Sequence, residues 1–196
     1  MELFEAILSR RSTRRYRQIP VEREKLEKVL EAGRFAPSGG NNQSCHFLVV
    51  QKAEVLRNLI SLVEKAFAKM ELHEGLYKSL KNSIEKSQKG GYVFCYDAPA
   101  LIIVANQKDY GNAMADSACA IENMMLEANA LDLGSCWINQ LRWLSEEPSL
   151  VDYLQSLGMR PEERVFGSVV VGYPDSESGM PMRKPLERKG NEVLWI

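Results

Sequence analysis

The chain has 196 residues, of which 45% are apolar and 26% are charged, and 25 basic residues nearly balance 26 acidic ones. This composition is ordinary for a soluble globular chain, and we predict one domain over residues 1–196. The balanced charge excludes the global basic field that supplies non-specific nucleic-acid affinity, and no stretch reaches the roughly 18 apolar residues of a membrane span.

The N-terminal stretch MELFEAILSR lacks the basic region and the small-residue cleavage site of a secretory signal, so we expect a cytoplasmic protein. Four cysteines and two histidines are spread along the chain without a Cys-x-x-Cys pair: Cys45, Cys95, Cys119, Cys136, His46 and His73. This spacing argues against a structural zinc site and against a disulfide framework. We therefore predict reduced thiols and no metal.

Two apolar stripes at helical spacing, within residues 3–8 and 26–33, predict helices on either side of an arginine-rich segment. This segment, RRSTRRYRQIP (Arg10 to Pro20), holds five arginines within eight positions. Guanidinium groups repel one another and are strong donors to phosphate and carboxylate oxygens. The residue types therefore allow a phosphate site that includes Ser12, but cations that stabilise a helix C-terminus would give the same pattern.

The second helix is followed by FAPSGGNNQ (Phe35 to Gln43), in which proline, glycine and asparagine predict a loop. Its Asn41 and Gln43 offer both donors and acceptors, a mixture that suits the edge of a heterocycle, although a plain loop would have the same composition. The next residues, HFLVVQ, predict a strand.

The middle of the chain predicts two helices, one over residues 56–67 and a weaker, highly charged one that ends at Gly90-Gly91. We expect the charged face of the latter to be solvated, and the region 64–91 is also a candidate lid. The continuous apolar run PALIIVAN (Pro99 to Asn106) predicts a strand covered on both faces, and hence central in a sheet.

Residues 111–131 carry small side chains on all faces and predict a buried helix. The remaining elements are a short strand at SCWI, a helix that begins at Pro148, a long β-branched strand within residues 164–174, and a terminal strand at EVLWI (Glu192 to Ile196). Helices and strands are mixed without a clean βαβ repeat, which predicts an α+β fold.

The chain contains no Gly-x-Ser-x-Gly elbow, no phosphate loop and no Gly-x-Gly-x-x-Gly fingerprint. Cys136 has no histidine near it in sequence, so a buried free thiol is favoured over a nucleophile. His46 begins a predicted strand, and a structural histidine is favoured over a catalytic one.

Four polar segments, taken in order and spacing, resemble the motifs of the nitroreductase family of FMN-dependent oxidoreductases in its short-chain form. RRSTRRY (10–16), APSGGNNQ (36–43), DLGSCWI (132–138) and RKPLER (183–188) are similar to the family's RRSxRxF, APSxxNxQ, GLGSCWI and RKPLEE. The resemblance covers essentially the whole chain. It implies a mixed, mostly antiparallel sheet wrapped by helices, and a homodimer with two FMN sites at the subunit interface and a C-terminal strand that extends towards the partner.

The resemblance also implies residues that bind the cofactor. Arg10, Arg11 and Ser12 match positions that hold the FMN phosphate and ribityl chain. Arg183 joins them from the C-terminal segment, and Arg14 matches the basic residue near flavin N1 and O2.

Two further groups match positions near the isoalloxazine ring. The first matches the loop that the second subunit contributes, and consists of Pro37, Ser38, Gly39, Asn41 and Gln43. The second falls where backbone groups approach flavin N5, and consists of Ile138, Asn139 and Gln140.

The chain departs from the family in two places. Ser44-Cys45-His46 follows Gln43 where the family commonly has Pro-Trp, and Asn139-Gln140 stands where many relatives have Gly-Gly or Glu-Gly. We expect the larger side chains of the second pair to narrow the substrate pocket.

The implied activity moves a hydride from NAD(P)H through flavin N5 to an electron-poor acceptor, such as a nitroaromatic, a quinone or a flavin, in alternating half-reactions. The cofactor carries this chemistry, so no catalytic side chain is required. Two alternatives stay open: a specialised flavoenzyme of the same fold, acting as a dehalogenase or ring dehydrogenase, and a non-catalytic FMN-binding carrier or sensor. No motif distinguishes NADH from NADPH or identifies the acceptor.

Overall fold

The structure is a computed structural model that describes residues 1–190 and 192–196. Its sheet has four strands in the order β1-β2-β4-β3. Their bounds are β1 His46–Val50, β2 Ala100–Gln107, β3 Gly134–Ile138 and β4 Glu163–Gly172. All three strand pairs are antiparallel. In addition, Ser12 forms an isolated parallel bridge with Ser135 of β3. This confirms the predicted α+β class.

Seven helices surround the sheet in the described residues, together with a short 3-10 turn at Gly39–Asn41. The helices are α1 Leu3–Ser9, α2 Arg23–Arg34, α3 Ala53–Ala68, α4 Lys78–Lys89, α5 Ala113–Ala130, α6 Gln140–Trp143 and α7 Pro148–Ser156. Proline suits the first turn of α7 because its missing N–H would have no partner there. No helix among the described residues is long and apolar enough to cross a bilayer.

The central strand β2 joins two separate apolar clusters. Successive strand side chains point to opposite faces, so Leu101 and Ile103 pack with α3, α4, α6 and α7, whereas Ile102 and Val104 pack with α2 and α5. The sheet is therefore buried on both faces, which explains the unbroken apolar run of PALIIVAN.

Two helices expose apolar or small side chains in the single chain. On α1, Leu3 and Phe4 are each 70% exposed, so the predicted helix is confirmed but its apolar stripe does not face the core. On α5, one face is buried in the α2–sheet cluster while Ala115 and Cys119 lie exposed on the other. These faces are available to another protein surface.

The structure differs from the sequence prediction at two elements. Helix α6 was not predicted, because four residues are too few to show helical periodicity. The terminal strand predicted at Glu192–Ile196 does not form within the single chain, where Trp195 is 94% exposed. A strand requires an edge with free hydrogen-bonding groups beside it, so the extension towards a partner subunit stays a prediction.

Candidate functional site

The arginine-rich segment runs beside the edge strand β3. Ser12 pairs with Ser135 in a parallel bridge, and the Thr13 N–H donates to the Ser135 carbonyl at 2.9 Å. An extended segment points successive side chains in opposite directions. Arg11 is accordingly buried, whereas Ser12 and Arg14 are exposed.

Arg11 is 7% exposed and donates to three backbone carbonyls. Its Nε reaches the Lys184 carbonyl at 2.8 Å, its Nη2 reaches the Leu8 carbonyl at 2.8 Å, and its Nη1 contacts the Arg10 carbonyl. Burial, followed by the charges of Arg188 and Arg10, lowers the pKa of this guanidinium. Arg11 stays protonated at neutral pH and ties the C-terminal segment to the end of α1.

Arg183 and Arg10 lie close by, against α5 and the turn that follows it. The Nη2 of Arg183 donates to the Asn129 carbonyl and to Asp132 Oδ1, both at 2.6 Å. The Nε of Arg10 lies 3.7 Å from Glu122 Oε1. The fold thus gathers Arg10, Arg11 and Arg183, which we call the arginine group, from opposite ends of the chain.

The loop at residues 37–43 is anchored by two hydrogen bonds to the backbone of Gly39. The Gly39 N–H donates to Asp116 Oδ1 at 3.1 Å, and the Tyr110 hydroxyl donates to the Gly39 carbonyl at 3.2 Å. A Cβ on Gly39 would stand 2.3 Å from Asn112 Nδ2 and 2.6 Å from the Tyr110 hydroxyl, so a larger residue would displace these side chains. The loop's shape is therefore fixed from the N-terminal end of α5.

The predicted loop residues present their side chains outwards. Asn41 and Gln43 are exposed and adopt positive φ angles of 57° and 50°. Pro37 is exposed as well. The loop is closed by a hydrogen bond in which Ser38 Oγ accepts the Gln43 N–H at 2.9 Å.

The loop and the arginine group contact different parts of α5. Asp116 holds the loop, Glu122 pairs with Arg10 and Asn129 contacts Arg183. At 1.5 Å per residue the loop contact lies about 9 Å from that of Arg10 and about 20 Å from that of Arg183. The two predicted parts of the cofactor site are therefore spread along this helix.

The third predicted part borders a pocket of about 470 Å³. Gln140 and Tyr96 both line it, and the Arg14 guanidinium lies 6.0 Å from the centre of the Tyr96 ring. Gln140 Nε2 donates to the Tyr92 hydroxyl at 2.9 Å and to Ser83 Oγ at 3.2 Å. Gln140 thus lines this pocket, and Arg14 lies next to it through its contact with the Tyr96 ring.

The two residues before Gln140 contact the protein interior. The Ile138 carbonyl accepts the Ser168 hydroxyl at 3.1 Å, and Asn139 Oδ1 accepts the Trp137 indole N–H at 2.9 Å. Their side chains are thus held in place, and Gln140 is the member of the trio that lines the pocket.

His46 and Cys136 have the contacts and burial that the structural interpretation predicts. His46 Nδ1 lies 2.8 Å from Oε2 of Glu163, a buried carboxylate that also accepts the Arg160 N–H. Cys136 is a buried free thiol, and burial raises its pKa although the charge of Arg14 acts in the opposite direction.

Sequence reasoning missed Asp116 and Tyr96. Asp116 is a carboxylate on the buried face of an otherwise small-residue helix, and that mismatch was a signal that could have identified it. Its Oδ2 has no partner among the described residues. Tyr96 gave no signal, because its approach to Arg14 depends on how the chain turns before β2.

Comparisons with known proteins agree with this arrangement. The sequence model of the nitroreductase family matches residues 7–173. A curated protein of Archaeoglobus fulgidus, provisionally named NADH dehydrogenase/NAD(P)H nitroreductase, is 31% identical over 176 residues, which cover 90% of this chain and 87% of its own length.

Two solved structures extend the similarity to the fold. The crystal structure of a Bacteroides fragilis nitroreductase with bound FMN has a TM-score of 0.87 and 35% identity, and the match covers 100% of this chain and 99% of that one. A Desulfovibrio desulfuricans nitroreductase in complex with FMN has a TM-score of 0.63 and 26% identity, with 95% and 93% covered. The chain belongs to the nitroreductase family.

Proposed function

We propose that this chain is an FMN-dependent NAD(P)H oxidoreductase that acts as a homodimer on a small electron-poor acceptor. The supporting relatives are an A. fulgidus protein named for NAD(P)H-linked activities and a B. fragilis nitroreductase whose crystal structure contains FMN. The observation that carries the proposal is the arginine group beside β3, because it supplies positive charge that the neighbouring protein only partly neutralises.

The charge balance fits a phosphate. Burial first, and then the charges of Arg188 and Arg10, lower the pKa of Arg11. The ion pairs of Arg10 and Arg183 each involve a single carboxylate oxygen. A dianionic phosphate relieves this repulsion through charge-assisted hydrogen bonds. In our proposal Arg10, Ser12 and Arg183 hold the FMN phosphate. Arg11 donates to backbone carbonyls instead and holds the segments that carry these residues in place.

Bound FMN would supply N5 as the atom that accepts a hydride from NAD(P)H and passes it to a nitroaromatic, quinone or flavin. The reduced ring would carry negative charge at its N1–C2=O edge. The protein's part is to orient flat partners and to stabilise that charge. In our proposal Arg14, whose guanidinium lies beside the ring of the pocket residue Tyr96, provides a cation for it. Gln140 also lines the pocket and is fixed by its bonds to Tyr92 and Ser83.

The distance between the loop and the arginine group supports a two-subunit site. Along α5 the loop contact at Asp116 lies about 20 Å from the Arg183 contact and about 9 Å from the Arg10 contact. Asn41 and Gln43 of the loop are exposed in the single chain, and in our proposal they complete the site of the partner subunit. The exposed apolar side chains of α1, the exposed face of α5 and Phe35, which is 79% exposed, supply an interface.

The function is tested by anaerobic reduction of the purified protein. We expect it to be yellow, to release FMN rather than FAD on denaturation, and to bleach rapidly with NADH or NADPH, followed by recovery of the colour when a nitroaromatic or quinone is added. A flavin that stays oxidised in the presence of both nucleotides would identify a carrier or sensor instead.

The same titration tests the role of Arg14. Arg14→Gln keeps a hydrogen-bond donor but loses the charge, so we expect FMN to stay bound with a midpoint potential lowered by tens of millivolts, where about 30 mV corresponds to 1.4 kcal/mol. Reduction by NAD(P)H should also be slower. If the potential is unchanged and only the melting temperature moves, Arg14 is a structural residue.

The assembly is tested by placing a charge on the exposed face of α5. We expect a homodimer whose interface buries more than about 2,000 Å², and we expect Cys119→Arg to yield monomers that lose FMN, measured by sedimentation and by flavin absorbance. Asp152→Arg, on the exposed side of α7, is the control and should stay dimeric. A wild-type monomer that retains its flavin would contradict the two-subunit site.

A further inference from the structure

The pocket beside Gln140 carries a charge pattern that family membership does not specify. One of its walls is a face of α4: Ser79, Asn82, Lys86 and Lys89 are spaced by three, four and three residues and therefore lie on one side of the helix. The opposite side of α4 packs into the core through Ile84. The charged face that the sequence predicted to be solvated thus also forms a pocket wall.

The charge of this wall is positive and uncompensated. Lys86 and Lys89 form no salt bridge with any described residue, whereas Lys81, outside the pocket on the same helix, lies 3.9 Å from Glu85. No aspartate or glutamate lines the pocket in the part of the chain that the structure describes. A ligand that enters it therefore meets two cations and no anion.

The floor of the pocket is rigid and polar. Ser83, Tyr92 and Gln140 are buried and joined by three hydrogen bonds of 2.9 to 3.2 Å. The φ angles of Gly90 and Gly91, 84° and 80°, turn the chain after α4, and Lys89 and Tyr92 on either side of this turn both line the pocket. Residues with a side chain rarely adopt such angles.

The pocket also adjoins the proposed position of the flavin ring. Tyr96 lines it and lies next to Arg14, and Gln140 lines it from the position proposed to face flavin N5. Its volume of about 470 Å³ lies within the usual range of small-molecule sites. An acceptor ring in this pocket would lie between Tyr96 and Gln140, which line it on the side of the proposed flavin position, and the helix face that carries the two lysines.

We propose that this pocket selects anionic aromatic acceptors, with Lys86 and Lys89 binding a carboxylate on the ring edge remote from the reacting group. This rests on the proposed function and names its substrate class. A zwitterionic amino-acid substrate, as in a dehalogenase, is disfavoured because the described lining residues offer no carboxylate for its ammonium group.

The test compares two acceptors of the same ring, 4-nitrobenzoate and the neutral 4-nitrobenzyl alcohol. For the holoenzyme we expect 4-nitrobenzoate to have the lower KM, and we expect Lys86→Gln and Lys89→Gln each to raise that KM about fivefold, the size of an exposed ion pair. The double variant should raise it roughly tenfold or more and leave the KM of the alcohol unchanged. Lys81→Gln is the matched control and should alter neither KM.

Calorimetry separates this proposal from the proposed function. Binding of 4-nitrobenzoate to the oxidised holoenzyme requires no turnover, so a protein that NAD(P)H fails to reduce would still report the charge preference of the pocket. We expect the Kd to rise roughly tenfold in the double variant, and the wild-type affinity to fall with added salt because these charges are exposed.

Two outcomes would overturn the assignment. If the double variant binds 4-nitrobenzoate as tightly as wild type, the lysines are solvated surface charges. If it instead raises the KM of NADH or NADPH while the Kd of 4-nitrobenzoate is unchanged, the lysines bind a dinucleotide phosphate and not the acceptor.

Discussion

Replacing Arg11 with methionine should lower the free energy of unfolding by about 3 kcal/mol, since the buried guanidinium donates to three carbonyls and hydrogen bonds to charged groups contribute about 1.5–3 kcal/mol each. For a chain of this size that corresponds to a fall in melting temperature of roughly 6–12 °C. Urea unfolding at fixed protein and FMN concentrations measures it, because ligand and assembly both shift apparent stability.

Arg15→Met is the matched control for this change. Arg15 is exposed in the same segment, and its side chain has no hydrogen bond or ion pair with any described residue, so its loss should change stability by less than about 0.5 kcal/mol. Equal and small effects of the two substitutions would show that the Arg11 contacts contribute little.

Arg183→Ala should weaken FMN binding by roughly one to two orders of magnitude, because a charge-assisted phosphate contact contributes about 1.5–3 kcal/mol. Titration of the FMN-free protein, followed by quenching of flavin fluorescence, measures the affinity. Unchanged affinity would remove Arg183 from the site.

Arg183 also pairs with Asp132, and a second variant separates the two roles. Asp132→Asn breaks the ion pair but keeps Arg183, and asparagine tolerates the positive φ of 62° at this position. We expect FMN affinity in this variant to be unchanged or higher. A loss equal to that of Arg183→Ala would mean that the arginine acts only by holding the turn after α5.

The periodic elements could be predicted because their signals are local. The unbroken run of β2 predicted a strand covered on both faces, and the structure places it between two cores. The stripe at Leu3 and Phe4 predicted a helix correctly but could not indicate what covers it, since periodicity identifies an apolar face and not its partner. The tail at Glu192–Ile196 forms no strand in the single chain for a related reason, because strand-forming residues still need an edge to pair with.

The candidate site could likewise be predicted only in part. The order of the motifs predicted which segments matter, but not that Arg11 turns inward while its neighbour Ser12 stays exposed, because that depends on pairing with β3. The pocket wall on α4 was predicted only as a charged helix face. Its relation to Gln140 comes from the turn at Gly90-Gly91 and the packing of Tyr92, neither of which leaves a repeating pattern in the sequence.

The arginine group contains residues from both ends of the chain, and these residues are synthesised at different times. Arg10 leaves the ribosome about 170 residues before Arg183, which at about 5–20 residues per second is an interval of roughly 10–30 s. The helices and strands between them are made during this interval. In the proposed site FMN cannot be fully held until Arg183 arrives, so the cofactor would join a subunit whose sheet is already synthesised rather than guide its early folding.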